Sequence, residues 1–302
     1  KKVFVGMSGG VDSSVAALLL KNEGYNVIGV FMRCFNIDGC QDRDSEDARR
    51  VAEKLKIPFY VWDFEEEYKK KVVKYMVDGY RQGITPNPDV MCNKEIKFGL
   101  FFDKAIAAGA DFVATGHYIK IKSEKLKMKN GNEKFKINYH LIQAMDKNKD
   151  QSYFLWTLAQ KQLARCLFPI GEYVKPEVRA IARRAKLPTA EKKDSQGICF
   201  LGKVTIADFL KLYIWPRRGE ILTVSGQNIG EHEGIYFYTI GQRHGLDLRT
   251  KNRELKIHGK HETKPHYVAE KDIKTNTLIV AEGENNKALY KKEIVLYAVN
   301  WI

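Results

Sequence analysis

The stretch Val3-Phe4-Val5-Gly6-Met7-Ser8-Gly9-Gly10-Val11-Asp12-Ser13-Ser14-Val15-Ala16-Ala17-Leu18-Leu19-Leu20 decides how the rest of the chain is read. Its first residues are a short apolar run with β-branched members, the pattern of a buried strand, and Val11, Val15, Leu18 and Leu19 then recur at helical spacing. The local expectation is strand, glycine turn, helix. Ser8, Gly9 and Gly10 place that turn at a helix N-terminus, where unpaired backbone N–H groups and the helix dipole favour an anion, here a phosphate. A glycine pair also serves as a plain strand-to-helix turn. The flanking Ser8, Asp12, Ser13 and Ser14 add hydroxyl donors and a carboxylate suited to magnesium or phosphate, which favours the ligand-binding reading. There is no G-x-G-x-x-G, and no lysine follows the glycines as a Walker A loop requires.

Ser8-Gly9-Gly10-Val11-Asp12-Ser13 instead resembles the PP-loop of ATP pyrophosphatases, enzymes that cleave ATP between its α and β phosphates. That resemblance implies adenylate chemistry. Further along, Tyr25 to Met32 reads as a buried strand and Pro58 to Trp62 as a third strand, with helical periodicity in Ser45–Lys56 and Glu65–Tyr80 between and after them. Ala110 to Thr115 is a fourth strand, ending at Gly116-His117-Tyr118. Strands alternating with helices predict an α/β fold with a doubly wound parallel sheet. Ligands of such sheets sit beyond the strand C-termini, where Ser8-Gly9-Gly10, Met32 and Gly116 all fall.

A chain of 302 residues exceeds what one core usually serves, so two or three domains are expected. No apolar run is long enough to span a membrane and no secretory segment is visible, which makes the cytoplasm the expected location and excludes a membrane partner. The first residue is Lys1, so removal of an initiator methionine or a leader stays open. A formal net charge of +14 suits an extended polyanion better than a small metabolite. The five cysteines, Cys34, Cys40, Cys92, Cys166 and Cys199, form no C-x-x-C pair and no zinc-finger spacing, so no metal site is expected from them.

In Asn87-Pro88-Asp89-Val90-Met91-Cys92, Asn87 can cap and Pro88 can open a helix running to Ala108. Asp89 and Cys92 then share one helix face. An early-helix cysteine near Lys94 and Lys97 has reasons for a lowered thiol pKa, while a small buried hydrophobe is the other reading; position alone leaves both open. A lysine-rich hairpin is expected between Ile119 and Met145, and an amphipathic helix is expected to open at Lys149-Asp150-Gln151-Ser152-Tyr153-Phe154. Lys175 to Lys186 is another helix, closed by Pro188. Cys199 follows in a polar segment read as mobile or exposed. Gly197 to Lys203 matches G-x-x-x-x-G-K, but Val204 replaces the required Ser or Thr, so the match is fortuitous. From Gly219 the chain turns to short β runs, including Gly234–Arg243, with a charged linker at 251–265 and a further β unit from His266.

With these segments in order, the chain resembles the tRNA-specific 2-thiouridylases. The resemblance rests on Gly6 to Ser13, Asn87-Pro88-Asp89 with Cys92, Gly116-His117-Tyr118, Lys149-Asp150-Gln151 and Gly197-Ile198-Cys199-Phe200. It implies that Gly6, Met7, Ser8, Gly9, Gly10, Val11, Asp12 and Ser13, with Met32 and Gly116, bind ATP and Mg2+. It implies that Asn87, Pro88, Asp89, His117, Lys149, Asp150 and Gln151 meet tRNA. Cys92, Cys199 and Asp89 would be catalytic: Cys199 carries a persulfide from a sulfur donor, a cysteine desulfurase or relay protein, and a Cys92–Cys199 disulfide remains after transfer. The implied substrates are tRNAs for Glu, Gln and Lys, thiolated at the wobble uridine. The expected division is a PP-loop domain at 1–200, a small β module at 201–265 and a C-terminal β-barrel at 266–302, left incomplete by the ending at Trp301-Ile302. Two rivals share parts of the pattern: another PP-loop ligase, which has no need of Cys92 and Cys199, and a tRNA-binding protein without catalysis, which has no need of the loop.

Overall fold

The computed structural model describes residues 1–35, 39–127, 135–194, 201–202, 204–246, 248, 264–296 and 299–300. Cys199, the tip of the lysine-rich hairpin and the linker expected at 251–265, save its last two residues, lie outside them. Contacts divide the chain into two compact units, one of Lys1–Val73, Asn87–Lys203 and Asn300–Ile302, the other of Lys74–Pro86 and Val204–Val299.

The first unit is built on five parallel strands. The opening stretch forms β1 (Lys2–Gly6) and α1 (Val11–Asn22), followed by β2 (Asn26–Arg33), α2 (Cys40–Leu55) and β3 (Phe59–Asp63). A helix then begins at α3 (Glu65–Tyr68), loosens into a π-helical turn at Lys69–Val73 and continues as α4 (Lys74–Arg81), which clusters with the second unit. Next come α5 (Pro88–Cys92), a π-helical run at Asn93–Phe101, α6 (Phe102–Ala107) and β4 (Phe112–Thr115). The antiparallel hairpin β5 (Ile119–Lys127) and β6 (Phe135–Gln143) precedes α7 (Gln160–Leu163), the two-residue β7 (Cys166–Leu167) and α8 (Lys175–Arg184).

The sheet order is β3-β2-β1-β4-β7. The chain therefore leaves β1 toward β2 and β3, then returns to β1's other side with β4. That reversal is a topological switch point, and it opens a crevice beyond the C-termini of β1 and β4, where Gly6 pairs in register with Thr115. Val3 and Val5 of β1 and Val15, Ala16 and Ala17 of α1 are almost wholly buried, together with Val178 and Ala182 of α8. Each fully buried large aliphatic side chain contributes about 1.5–3 kcal/mol. This packing holds the ends of β1, α1 and α8 in fixed relation. Gly29 belongs to it too, because a Cβ there would stand 2.5 Å from the Met7 sulfur.

One expectation fails in this unit and one strand was not foreseen. No long helix opens at Lys149; a single 3₁₀ turn, Ser152–Phe154, stands there instead. Asp150 accepts from the Ala144 N–H (2.8 Å) and the Ser152 hydroxyl (2.6 Å), and Gln151 accepts from the Tyr118 N–H (2.9 Å). Side chains committed to the backbone in this way compete with helix formation. Strand β7 went unforeseen because two residues carry no readable periodicity.

The second unit contains α9 (Ile206–Lys211), capped by the Thr205 side chain, and a four-stranded sheet. Its strands are β8 (Gly219–Thr223), β9 (Asn228–His232), β10 (His266–Asp272) and β11 (Thr277–Glu282), in the order β10-β11-β8-β9. Ile221, Ile235, Val268, Leu278 and Val280 form its core. Gly234–Arg243 holds no strand but a 3₁₀ turn at Ile235–Phe237. Ile235 and Tyr238, three residues apart, are both buried, which suits a turn rather than the alternation of a strand.

Candidate active site

A cavity of about 440 Å³ opens at the switch point of the first unit. One wall is the glycine loop. Gly9 has φ +73°, and a Cβ there would stand 2.2 Å from the Asp44 carbonyl oxygen, so the loop backbone needs a residue without a side chain. The Ser13 hydroxyl donates to the Gly10 carbonyl (3.2 Å) and accepts from the Ser8 N–H (3.1 Å), while Ser14 donates to the same carbonyl (2.7 Å). Gly10 is the N-cap of α1 and supplies no side-chain cap. The first turn of α1 thus lacks a side-chain cap where Gly10, Val11, Asp12 and Ser13 line the cavity, an arrangement suited to phosphate. Gly116 lets the β4 end approach this turn, since a Cβ there would lie 2.6 Å from the Ser13 nitrogen.

Charged groups ring the loop. Asp12 receives both contacts of the Lys175 ammonium, at 2.7 and 2.8 Å, and a 2.8 Å hydrogen bond from the Tyr118 hydroxyl. Lys175, 12 % exposed, also reaches Asp194 at 2.9 Å, and Asp194 in turn holds Arg179 (2.6 Å) and Lys149 (3.0 Å). Burial works against the Asp194 charge, but hydrogen bonds from Lys175 and Lys149 outweigh it and bring the carboxyl down to about 2. Lys192 bridges Asp44 (2.7 Å) and Asp47 (2.6 Å). Five lysines and four aspartates line the cavity among the described residues, a composition that suits a polyphosphate accompanied by a cation.

The opposite wall comes from the Asn87 helix. Asn87 accepts from the Asp89 and Val90 N–H groups (3.0 and 3.1 Å), and Pro88 occupies the first turn, so the expected cap is present. Asp89, Asn93 and Lys97 follow at intervals of four and all line the cavity. Burial raises the Asp89 carboxyl above its usual range, with the Lys97 charge opposing. His117 is 7 % exposed; its Nε2 lies 3.5 Å from the Lys97 ammonium and its Nδ1 2.7 Å from the Thr115 hydroxyl. Lysine can only donate, so Nε2 accepts and Nδ1–H faces Thr115. Burial, then the Lys97 charge, push the imidazole well below its ordinary pKa, which keeps the ring neutral. Replacing Lys97 with Met removes the charge that favours the Asp89 carboxylate. If the carboxylate is the working form, the acid limb of the pH–rate profile should then move to higher pH; an unmoved limb would sever Lys97 from Asp89.

Most of the nucleotide residues expected from the sequence meet here: Gly6, Ser8, Gly10, Val11, Asp12 and Ser13, with Met32 and Gly116, line the cavity. Met7 is buried in the core and Gly9 shapes the loop. Asp89, His117, Lys149 and Gln151 also face it, whereas Asp150 is spent on internal hydrogen bonds. Cys92 is 4 % exposed at the end of α5, three residues beyond Asp89. Sequence reasoning missed Lys175, Asp194 and Asn93, and it read Lys97 as a neighbour of Cys92 rather than of Asp89 and His117. One signal was available for Lys175: a cation in the first turn of a helix opposes the helix dipole and calls for another reason to be there.

Comparison with known proteins agrees with this geometry. A family model described as tRNA methyl transferase HUP domain matches residues 1–203, and one described as tRNA methyl transferase PRC-barrel domain matches residues 207–282. The tRNA-specific 2-thiouridylase MnmA 1 of Geobacillus kaustophilus is 47% identical over 100% of this chain and 78% of its own length. The chain belongs to the tRNA-specific 2-thiouridylase family. Family members from Bacillus cytotoxicus and Levilactobacillus brevis are 46% and 45% identical, each over 100% of this chain, which spans 76% and 77% of theirs. The 2-thiouridylase family thus accounts for both units of the chain. Among the described residues no helix is long and apolar enough to cross a membrane.

Proposed function

We propose that this chain carries out ATP-dependent 2-thiolation of the wobble uridine, position 34, of tRNA. The observation that carries the reading is the meeting, in one cavity, of an uncapped helix N-terminus behind the glycine loop and the helix that bears Asp89 and Cys92. The loop from Gly6 to Ser13 binds the ATP phosphates, with Met32 and Gly116 beside the adenosine. Among the described residues no cluster forms a metal cage of its own. Magnesium does not require one, because it is commonly held by substrate phosphates and one or two carboxylates; Asp12, beside the glycine loop, would serve as one on exchanging a Lys175 contact for the ion, which would neutralise phosphate charge.

In the proposed reaction the uridine C2 oxygen attacks the α-phosphorus, pyrophosphate leaves, and the N3 proton passes to water. Oxygen thereby becomes part of a good leaving group. Cys199 brings a persulfide. In one order its terminal sulfur attacks C2 and AMP leaves, after which the Cys92 thiolate attacks the Cys199 sulfur, freeing 2-thiouridine and forming the Cys92–Cys199 disulfide. In the other, Cys92 attacks first and releases hydrosulfide, which then displaces AMP. Both need reduction of the disulfide before the next cycle. Asp89, on the helix face it shares with Cys92, accepts the thiol proton. Asn87, Pro88, His117, Lys149, Asp150 and Gln151 form the proposed surface toward the flipped base and tRNA, and the donor of sulfur is a desulfurase or relay protein. The +14 charge suits this partner and makes binding weaken steeply with salt. We retain the boundary near residue 200 as a proposal for how the chain separates catalysis from the β-rich tRNA-contacting part; the further boundary expected at 265 falls between strands that share one sheet and one core, β8 and β9 before it and β10 and β11 after it.

Incubation of the protein with ATP, magnesium, a sulfide source and wobble-uridine tRNA, followed by mass analysis of the digested nucleosides, tests the proposal. The expected product is 2-thiouridine at position 34 with AMP and pyrophosphate. Sulfur-independent ATP turnover without thionucleoside would favour a PP-loop ligase instead.

A further inference from the structure

Asn87, the first residue of the motif expected to meet the target base, has its side-chain oxygen committed to the Asp89 and Val90 N–H groups. That oxygen is therefore not free to accept from the base N3–H, which leaves this acceptor role to another group. Asn93 lines the same cavity and is 2 % exposed. Its Nδ2 donates to the Phe154 carbonyl at 3.3 Å, which settles the carboxamide orientation, since the opposite one would set two acceptors against each other. Its Oδ1 is buried and, among the described residues, has no hydrogen-bond partner. A buried acceptor left unmatched is costly, and it becomes satisfied when a donor arrives with a ligand.

The chemistry of the incoming base is restrictive. Uracil offers one donor on its Watson–Crick edge, N3–H, between the acceptors O2 and O4; cytosine offers an unprotonated N3 at that position. An acceptor fixed opposite N3 therefore accepts uracil and repels cytosine, while the Lys97 ammonium, four residues further along the same helix face, suits an acceptor such as O4. Sites built to hydrogen-bond a substrate N–H discriminate strongly against analogues that lack it, because the buried partner is left unpaired.

We propose that Asn93 is a specificity-determining residue whose Oδ1 accepts from uracil N3–H and so selects uridine over cytidine at position 34. The assignment rests on the thiolation reading above. Its test uses the full chain with ATP, magnesium, sulfide and two transcripts that differ only in U34 or C34, read by AMP release and nucleoside mass. Asn93→Ala should lower the kcat/KM for U34 tRNA by about 10- to 100-fold and shrink the U-over-C ratio by a similar factor. A purely structural role would lower both substrates together and leave the ratio unchanged, which overturns the proposal. Loss of ATP affinity with the ratio preserved would place the adenine amino group on Oδ1 and overturn it as well. If the variant fails to fold, the wild-type protein carries the test: without ATP, where no proton has to leave N3, U34 tRNA should bind at least about 10-fold more tightly than the same tRNA with 3-methyluridine at position 34, and equal binding overturns the assignment. Absence of any thiolation of U34 tRNA by the wild type would overturn the functional reading and the assignment with it, whereas thiolation with an unchanged ratio overturns the assignment alone.

Discussion

Serine in place of Cys92 is expected to abolish sulfur incorporation into tRNA, by about 10³-fold or more, while ATP continues to bind. Cys92 ends α5 and is 4 % exposed, on the same helix face as Asp89. Serine differs from cysteine by one atom, so the packing of this buried helical turn should survive. Its oxygen, however, can neither attack a persulfide nor close a disulfide. Burial limits the access of outside thiols that would rescue the step. The measurement is 2-thiouridine content of the digested tRNA, with nucleotide binding by calorimetry as the control for folding. Wild-type levels of thionucleoside in this variant would remove Cys92 from the chemistry. Cys199→Ser is expected to behave alike through loss of the persulfide carrier.

Lys175→Met should cut pyrophosphate release by about 10²- to 10³-fold, the range seen when a positioned donor to developing charge is lost. Lys175 is the common cation of Asp12 and Asp194, at 2.7 and 2.9 Å. Without it two carboxylates remain beside the phosphate loop with less to offset them, and they repel the polyphosphate that the loop must receive. Two further cations stay on Asp194, Arg179 and Lys149, so the loss should fall on Asp12 and the nucleotide rather than on folding. Arg at position 175 should restore part of the rate, because it keeps the charge but not the compact ammonium geometry. Pyrophosphate release at the wild-type rate in Lys175→Met would show that the ion pair only braces the fold. A melting temperature taken alongside separates the two cases.

Much of the site was legible in the chain because its parts are local. The glycine loop is one strand, two glycines and one helix start, and the Asn87 cap with Pro88 and Asp89 is a single turn; each is specified by neighbours within a few residues. Lys149-Asp150-Gln151 shows the limit of that logic. The triplet was expected to begin a helix, yet Asp150 and Gln151 hold the Ala144 and Tyr118 backbones, contacts that only the folded hairpin and strand end make available. Asn93 shows it differently. Nothing around it in sequence reveals that one side of its carboxamide is taken by Phe154, sixty-one residues away, and the other left open.

By itself the sequence determined the alternation of strands and helices, the parallel sheet and the glycine turn into α1, and it supplied the two cysteines on which the proposed chemistry rests. These depend on periodicity, on glycine's access to positive φ and on residue chemistry, all of which can be read without contacts. Only the tertiary structure decided that β4 returns beside β1, so that Gly116 meets Ser13 and the crevice falls between them. It alone brought Lys175 to Asp12 across 163 residues and set Asp89, Asn93 and Lys97 opposite the loop. Ion pairs and unmatched acceptors are properties of pairs of groups in a shared, partly dehydrated space, and that space exists only once the core of β1, α1 and α8 has packed.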